Sequence, residues 1–266
     1  MAIKHILIAH DLRSTADLAL RRAAQLARQH HAQLTLLHVI ANHQPASVRE
    51  KAEQLLDSSL TRYAPPGSEL RIQTGRPDEV VLSEIQELQA DLLVLGAHHH
   101  RHELFSGTTL DRIARGCQIP LLLASIDDDA PYRRALAALN FSLCACSAFG
   151  HAYRLLPAQA ELHALHVFEA SKGSAAEVEA QLDTQRLLIE QLLLDEARNL
   201  PDDGPRLSHK IQMGSLPRTL HEAIGTHQPQ LLVLGSRGRS ALSQALLGCM
   251  AQHFLHKAPC DVLVSR

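Results

Sequence analysis

The pentapeptide LLVLG occurs twice, at Leu92–Gly96 and at Leu231–Gly235, and this repetition constrains the fold more than any other feature of the chain. Each copy is a short apolar run closed by glycine, the pattern of a parallel strand covered on both faces. The surroundings repeat with it. Ala135 to Leu139 answers Ile6 to His10, Asn140 stands where Asp11 stood, and LHALHVF (Leu162 to Phe168) answers LTLLHVI (Leu34 to Ile40). The long helical stretch Ser174 to Asn199 answers Ser47 to Tyr63, and Arg206 to Met213 answers the strand before Gly75. Gly214, Leu216 and Pro217 answer Gly75, Arg76 and Pro77, and Val262 to Ser265 answers Leu121 to Ala124. A period of roughly 130 to 140 residues is that of a duplicated domain, not of a solenoid. The break falls at the acidic stretch Asp127–Asp129 before Pro131, so the expected domains are residues 1–126 and 131–266.

Within the first copy, apolar runs and helical stripes alternate. Strands are expected at Ile3–Ala9, Gln33–Val39, Glu69–Gln73, Leu92–Leu95 and Ile119–Ala124, and helices at Thr15–His30, Pro45–Tyr63, the stretch opened by Pro77, and Thr109–Arg115. This alternation specifies an α/β fold of two tandem open, parallel, doubly wound five-stranded sheets. In such a sheet a ligand binds beyond the carboxyl ends of the strands where chain order reverses, between strands one and four. That places Asp11 beside Gly96 in the first half, and Asn140 beside the glycine loop in the second.

That loop lies in the stretch Leu231–Cys249, LLVLGSRGRSALSQALLGC. Gly235 is followed after two residues by Gly238 and after nine more by Gly248, with the small residue Cys249 next. A strand, a glycine loop and a helix start form an anion cradle, since unpaired backbone N–H groups and the helix dipole converge there. Arg237 and Arg239 flank the loop, and the helix from Cys249 carries no early acid, which favours an anion.

The glycine spacing and the duplication together resemble the universal stress protein family, in its tandem form, over nearly the whole chain. The resemblance implies the adenine-nucleotide alpha-hydrolase-like fold with strand order 3-2-1-4-5, a regulatory role in stress response, and binding of ATP, with or without Mg. It implies that the aspartate after strand one and backbone groups near the end of strand two hold adenine. Asp11 and Val39 match those positions in the first half; Asn140 and Val167 stand there in the second, where the amide keeps hydrogen-bonding capacity without the charge. Either residue also suits a turn or helix cap. Where the family's loop ends in Ser or Thr this chain has Cys249. Family members pair through their fifth strands, which implies internal pairing of the two domains, with a homodimer also open.

The first half departs further. After Gly96 it reads AHHHRHELFSGTT: His99 replaces the second glycine and the run to Gly107 is shortened. Thr108 with Asp111 forms a capping box that fills the helix's orphan donors and sets a carboxylate where a phosphate would sit. The expected nucleotide site is therefore the second one, comprising Asn140, Val167, Gly235, Arg237, Gly238, Gly248 and Cys249, while Asp11, Val39, Gly96, Gly107 and Thr108 mark a degenerate counterpart. His98, His99, His100 and His102 could collect Zn or Ni, yet only Glu103 adds a further ligand, and no metal site is assigned.

Other classes are disfavoured. The formal net charge is −2 and aromatic residues make up 3% with no Trp, so neither nucleic acid nor anionic lipid is an expected partner. No apolar run approaches the ~20 residues of a membrane span, and the N-terminal run is too short for a signal peptide, so a cytoplasmic location is expected. Five cysteines without a CxxC pair indicate no disulfide framework or zinc ribbon, and Cys144 and Cys146 read as small packing residues. There is no GxxxxGK[ST], GxSxG or HExxH, so no catalytic residue is assigned and at most slow ATP hydrolysis is expected. Two alternatives stay open: a non-nucleotide interaction module with closed or apolar crevices and, on fold analogy alone, a nucleotidyl-transferring enzyme.

Overall fold

The computed structural model describes residues 2–97, 108–170, 173–237 and 247–266. Its first copy runs β1 (His5–Ala9), α1 (Ser14–His30), β2 (Gln33–Ile40), α2 (Ala46–Tyr63), β3 (Glu69–Thr74), α3 (Pro77–Glu87), β4 (Leu92–Gly96), α4 (Thr109–Gly116) and β5 (Leu121–Ala124). The second runs β6 (Arg134–Leu139), α5 (Leu143–Leu155), β7 (Glu161–Phe168), α6 (Ala175–Ala197), β8 (Arg206–Met213), α7 (Leu216–His227), β9 (Leu231–Gly235), α8 (Cys249–His256) and β10 (Asp261–Ser265). The strand orders are β3-β2-β1-β4-β5 and β8-β7-β6-β9-β10, the expected 3-2-1-4-5 in each copy.

The register is parallel and matched. Ile6 pairs with Leu34 on one side and Leu92 on the other, as Ala135 pairs with Leu162 and Leu231. Strands buried on both faces need apolar residues at every position, and Ile6–Ile8, Leu92–Leu95 and Leu231–Leu234 are all buried. On α1 the inward stripe is Ala19, Leu20, Ala23, Ala24, Leu26 and Ala27. Its alanines let the helix lie close to the sheet. The closest approach falls at the glycine that ends LLVLG: a Cβ on Gly96 would stand 2.8 Å from the Thr15 carbonyl oxygen, and one on Gly235 would stand 2.7 Å from the Ala145 backbone nitrogen. In both copies this glycine is required by strand-to-helix packing, independently of any ligand.

The chain forms two compact units, Met1–Pro131 with Ser243–Val262, and Tyr132–Leu242 with Leu263–Arg266. The first unit thus ends its main run at Pro131 and also takes in the segment ending at Val262. Two interactions inside that unit give the reason. Arg22, fully buried on α1, donates from Nε to Asp261 Oδ2 at 3.1 Å, while Asp261 Oδ1 accepts the backbone N–H groups of Ser125 and Ile126. His256 Nε2 lies 2.9 Å from Asp111 Oδ1. A buried charge demands a full set of partners, and Arg22 also donates to Gln25 and to the carbonyls of Asp128 and Ala130.

In the second unit α6 is the outlier. Ile189 alone among its residues is fully buried, so packing holds it weakly and the Ser174–Glu177 capping box supplies local stabilisation at its start. Among the described residues no helix is long and apolar enough to cross a membrane.

Candidate functional site

Each copy opens a crevice at the carboxyl ends of its first two strands. In the first unit Asp11, Val39 and Gly96 line one cavity of about 200 Å³. Its walls are largely apolar, formed by Leu37, Val81, Leu95, Leu110 and Ile113. Asp11 is turned to local duty: Oδ1 accepts the Arg13 backbone N–H at 3.1 Å and Oδ2 lies 3.4 Å from Arg13 Nε. This closes an Asx-type turn at the start of α1.

The neighbouring His10 is fixed between two partners. Leu12, held at a φ of 67°, donates its backbone N–H to Nδ1 at 3.0 Å, so the ring proton is on Nε2 and points to Asp17 Oδ1 at 3.1 Å. Burial lowers the His10 pKa, and the Asp17 hydrogen bond opposes that shift without reversing it. His38 then donates Nδ1–H to the His10 carbonyl oxygen at 2.7 Å, bracing the end of β1 against β2.

At the mouth of α4 the capping box is complete. Asp111 donates its backbone N–H to Thr108 Oγ1 and accepts the Thr108 backbone N–H on Oδ2 at 3.0 Å. Burial works to raise the Asp111 carboxyl, but hydrogen bonds from His256 and Thr108 outweigh it and hold the group below the ordinary carboxylate range. An ionised carboxylate thus stands at the N-terminal end of α4.

In the second unit Asn140 and Val167 line a crevice of about 390 Å³, together with His166, Gln181, Thr184 and Gln185. Asn140 Oδ1 accepts the Ser142 hydroxyl at 2.5 Å and the Ser142 backbone N–H at 3.2 Å. Ser142 caps α5 by accepting the Ala145 N–H, and its Oγ lies 3.4 Å from the Arg237 carbonyl oxygen. The end of β6 and the start of the glycine loop therefore meet at one residue. Arg237 Nε is buried and finds no hydrogen-bond partner among the described residues. His166 repeats the brace of the first unit, with Nδ1 2.8 Å from the Leu139 carbonyl oxygen, and its Nε2 lies 3.0 Å from the Gln185 side-chain amide.

The residues of the expected second site are divided between the two units. Asn140, Val167, Gly235 and Arg237 belong to the second unit, whereas Gly248 and Cys249 fall in the first. Gly248 caps α8 without a side-chain hydrogen bond, no acid follows in the first turn, and Cys249 is exposed. Gly238, Gly107 and the histidines from His98 to His102 lie outside the described residues. Among the described residues no group of His, Cys, Asp and Glu is arranged to hold a metal. Cys144 and Cys146 are free thiols on α5, and burial together with Glu196 pushes Cys146 up to about 11, which keeps it an unreactive thiol. The residues that the sequence reading passed over are His38 and His166. Their signal was the His-Val pair repeated at the same place in both copies.

The sequence profile of the universal stress protein family matches residues 2–125 and again 131–266. The chain belongs to the universal stress protein family. Universal stress protein D of Escherichia coli K12 is 33% identical over 113 residues, covering 37% of this chain and 80% of that protein. Across the whole length, the crystal structure of a universal stress protein from Archaeoglobus fulgidus superposes with a TM-score of 0.73 at 17% identity, covering 98% of each chain. A protein of unknown function from Pseudomonas aeruginosa PAO1 gives 0.69 at 20% identity, covering 99% of this chain and 92% of its own. These two likenesses establish the tandem fold of this universal stress protein.

Proposed function

We propose that this universal stress protein is a regulatory protein that binds an adenine nucleotide, ATP with or without Mg, in its second domain. The observation that carries the reading is the meeting of Asn140 and the glycine loop at Ser142, next to a buried Arg237 nitrogen without a partner among the described residues. An amide able to recognise a base and a guanidinium able to hold a phosphate then stand on adjoining segments. The polar lining of the crevice by Gln181, Thr184 and Gln185 suits a ribose and a base edge. Glu169 on the same lining opposes a triphosphate there, which directs the phosphates toward the loop. Catalysis is assigned to no residue.

Mass spectrometry of ligand released from protein purified without added nucleotide tests the reading directly, with adenine nucleotide at close to one per chain as the expected result. Titration calorimetry should give one ATP per chain, and Asn140→Leu should weaken it by at least tenfold, about 1.4 kcal/mol. Two equivalent sites, or an unchanged affinity in the variant, would remove the second-domain placement. For the first unit the apolar lining of the crevice favours the other branch, in which triphosphate is not the ligand.

A further inference from the structure

Helix α6 carries more hydrocarbon than its packing uses. Its apolar residues are spread around the whole circumference, the composition of a helix enclosed on all sides, yet Ile189 is its one fully buried residue and Leu187 and Leu194 are 68% and 61% exposed. These two leucines are seven residues apart, and Asp183 and Glu190 each stand four residues before one of them, so the four share one stripe. Gln185 meets His166 of β7 two positions before Leu187, which turns that stripe away from the sheet.

Beside this helix lies an open sheet edge. β8 ends the order β8-β7-β6-β9-β10, so its outer edge has no strand neighbour among the described residues. Alternation puts Leu207, Ile211 and Met213 on one face, and Ile211 pairs with His166, so that face is the one α6 covers. Leu207 and Met213 are nevertheless exposed. The first half of the chain differs at both elements: Thr74 holds the register position of Met213, and of the three leucines on α2 only Leu55 is exposed. Charge divides the two elements of the second half. α6 carries six acids and one base, whereas β8 carries Arg206, His209 and Lys210 and no acid.

We propose that a second molecule of this chain occupies the surface, the two related by a two-fold axis so that α6 of each lies along the β8 edge of the other. Leu187 and Leu194 then cover Leu207 and Met213 of the other molecule, while Asp183 and Glu190 face its Arg206 and Lys210. A helix laid along an open edge removes the risk of uncontrolled strand pairing, and the two-fold makes the contact twice. The area is sufficient. With 23 and 8 residues, α6 and β8 are about 35 Å and 26 Å long, and strips of those lengths about 10 Å wide give roughly 600 Å² per molecule before side-chain relief, close to the ~800 Å² per partner of a stable interface. This contact lies at the opposite end of the strand order from the fifth strand, and it does not depend on the nucleotide proposed for the crevice.

Sedimentation equilibrium of the full chain is expected to show a reversible dimer at micromolar concentration. Leu187→Ser with Leu194→Ser should weaken it by about tenfold or more. Charge reversal then identifies the facing elements. Asp183→Lys with Glu190→Lys sets basic against basic, and Arg206→Glu with Lys210→Glu sets acidic against acidic, so each of these variants alone is expected to be monomeric. Mixed in equal amounts they should form a heterodimer, which also shows that both are folded. A monomeric parent chain would overturn the proposal and leave the surface to a different partner, and a dimer that survives the serine substitutions would put the pairing elsewhere. Self-association of the Arg206→Glu, Lys210→Glu variant, or a mixture that stays monomeric, would overturn the match of α6 to β8.

Discussion

The two crevices stand on the same strands in the same order, yet they offer a ligand opposite surroundings. In the first, hydrocarbon from α3 and α4 lines the space and a carboxylate caps the nearby helix start; in the second, amides and a hydroxyl from Asn140 and α6 line a larger crevice. The scaffold parts have been kept: the LLVLG glycine under a helix, and the histidine that braces the end of the first strand. The parts that face the ligand have diverged. Duplication thus leaves the backbone contacts of both copies under one packing constraint while freeing the side chains at the strand ends to serve different chemistry.

The same contrast appears away from the crevices, and breaking it there should have the largest effect. Arg22 and His151 stand at the same distance beyond Asp11 and Asn140. The first is a buried cation paired with Asp261; the second contacts Ser265 Oγ at 2.9 Å from Nδ1, with a pKa lowered chiefly by burial. Arg22→Met leaves Asp261 charged and buried, and should lower stability by about 3–5 kcal/mol. His151→Leu removes the neutral contacts of Nδ1 with the Ser265 and Ser147 hydroxyls and should cost about 1 kcal/mol. Urea denaturation of the two variants checks this, and equal losses would mean that the Arg22 network is not the stronger tie.

Gly96→Ala and Gly235→Ala probe what the halves share. Each adds a Cβ against helix backbone, and each should cost about 1–3 kcal/mol. Similar losses confirm packing as the reason for both glycines. A loss confined to ATP affinity in Gly235→Ala, with stability intact, would return that glycine to the ligand.

A smaller effect separates the two helix starts. Asp111→Asn weakens the α4 box by about 0.5–2 kcal/mol at neutral pH, whereas the start of α8 has no acid to remove. The sign with pH follows from the lowered carboxyl: the unfolded chain takes up the proton first, so the stabilisation is present above about 3.8 and is lost as pH falls through the folded value. Acid titration of stability should therefore be steeper in the parent than in Asp111→Asn.

The smallest expected effect is in the second unit. His163 stacks on His227 with ring centroids 4.3 Å apart, and burial, followed by the charge on His227, lowers its pKa below 6.5. Here too the unfolded chain binds the proton first, so stability falls as pH drops from 6.5 toward the folded value. His163→Phe should flatten that decline, and an unchanged pH profile would assign the decline to His10 and His151, whose pKa values are lowered in the same direction.

The sequence by itself determined the duplication, both strand orders and the capping box at Thr108, because each is written in local pattern: apolar runs, helical stripes, and residues a fixed few positions apart. Topology also placed Asp11 and Asn140 at the carboxyl ends of the first strands, while Val39 and Val167 came only from the family resemblance. The tertiary structure decided what those residues touch. Gly96 and Gly235 were legible as special, but that a helix backbone fills the place of their Cβ depends on how closely α1 and α5 lie on the sheet. His38 and His166 were visible as a repeated pair, yet only His166 meets a side-chain amide oxygen at Nε2, because α6 supplies Gln185 in the second copy. The attachment of the segment ending at Val262 to the first unit rests on Arg22 meeting Asp261 across almost the full length of the chain. Local pattern sets which element forms, while the partners of a buried charge are set by three-dimensional proximity, which no spacing along the chain records.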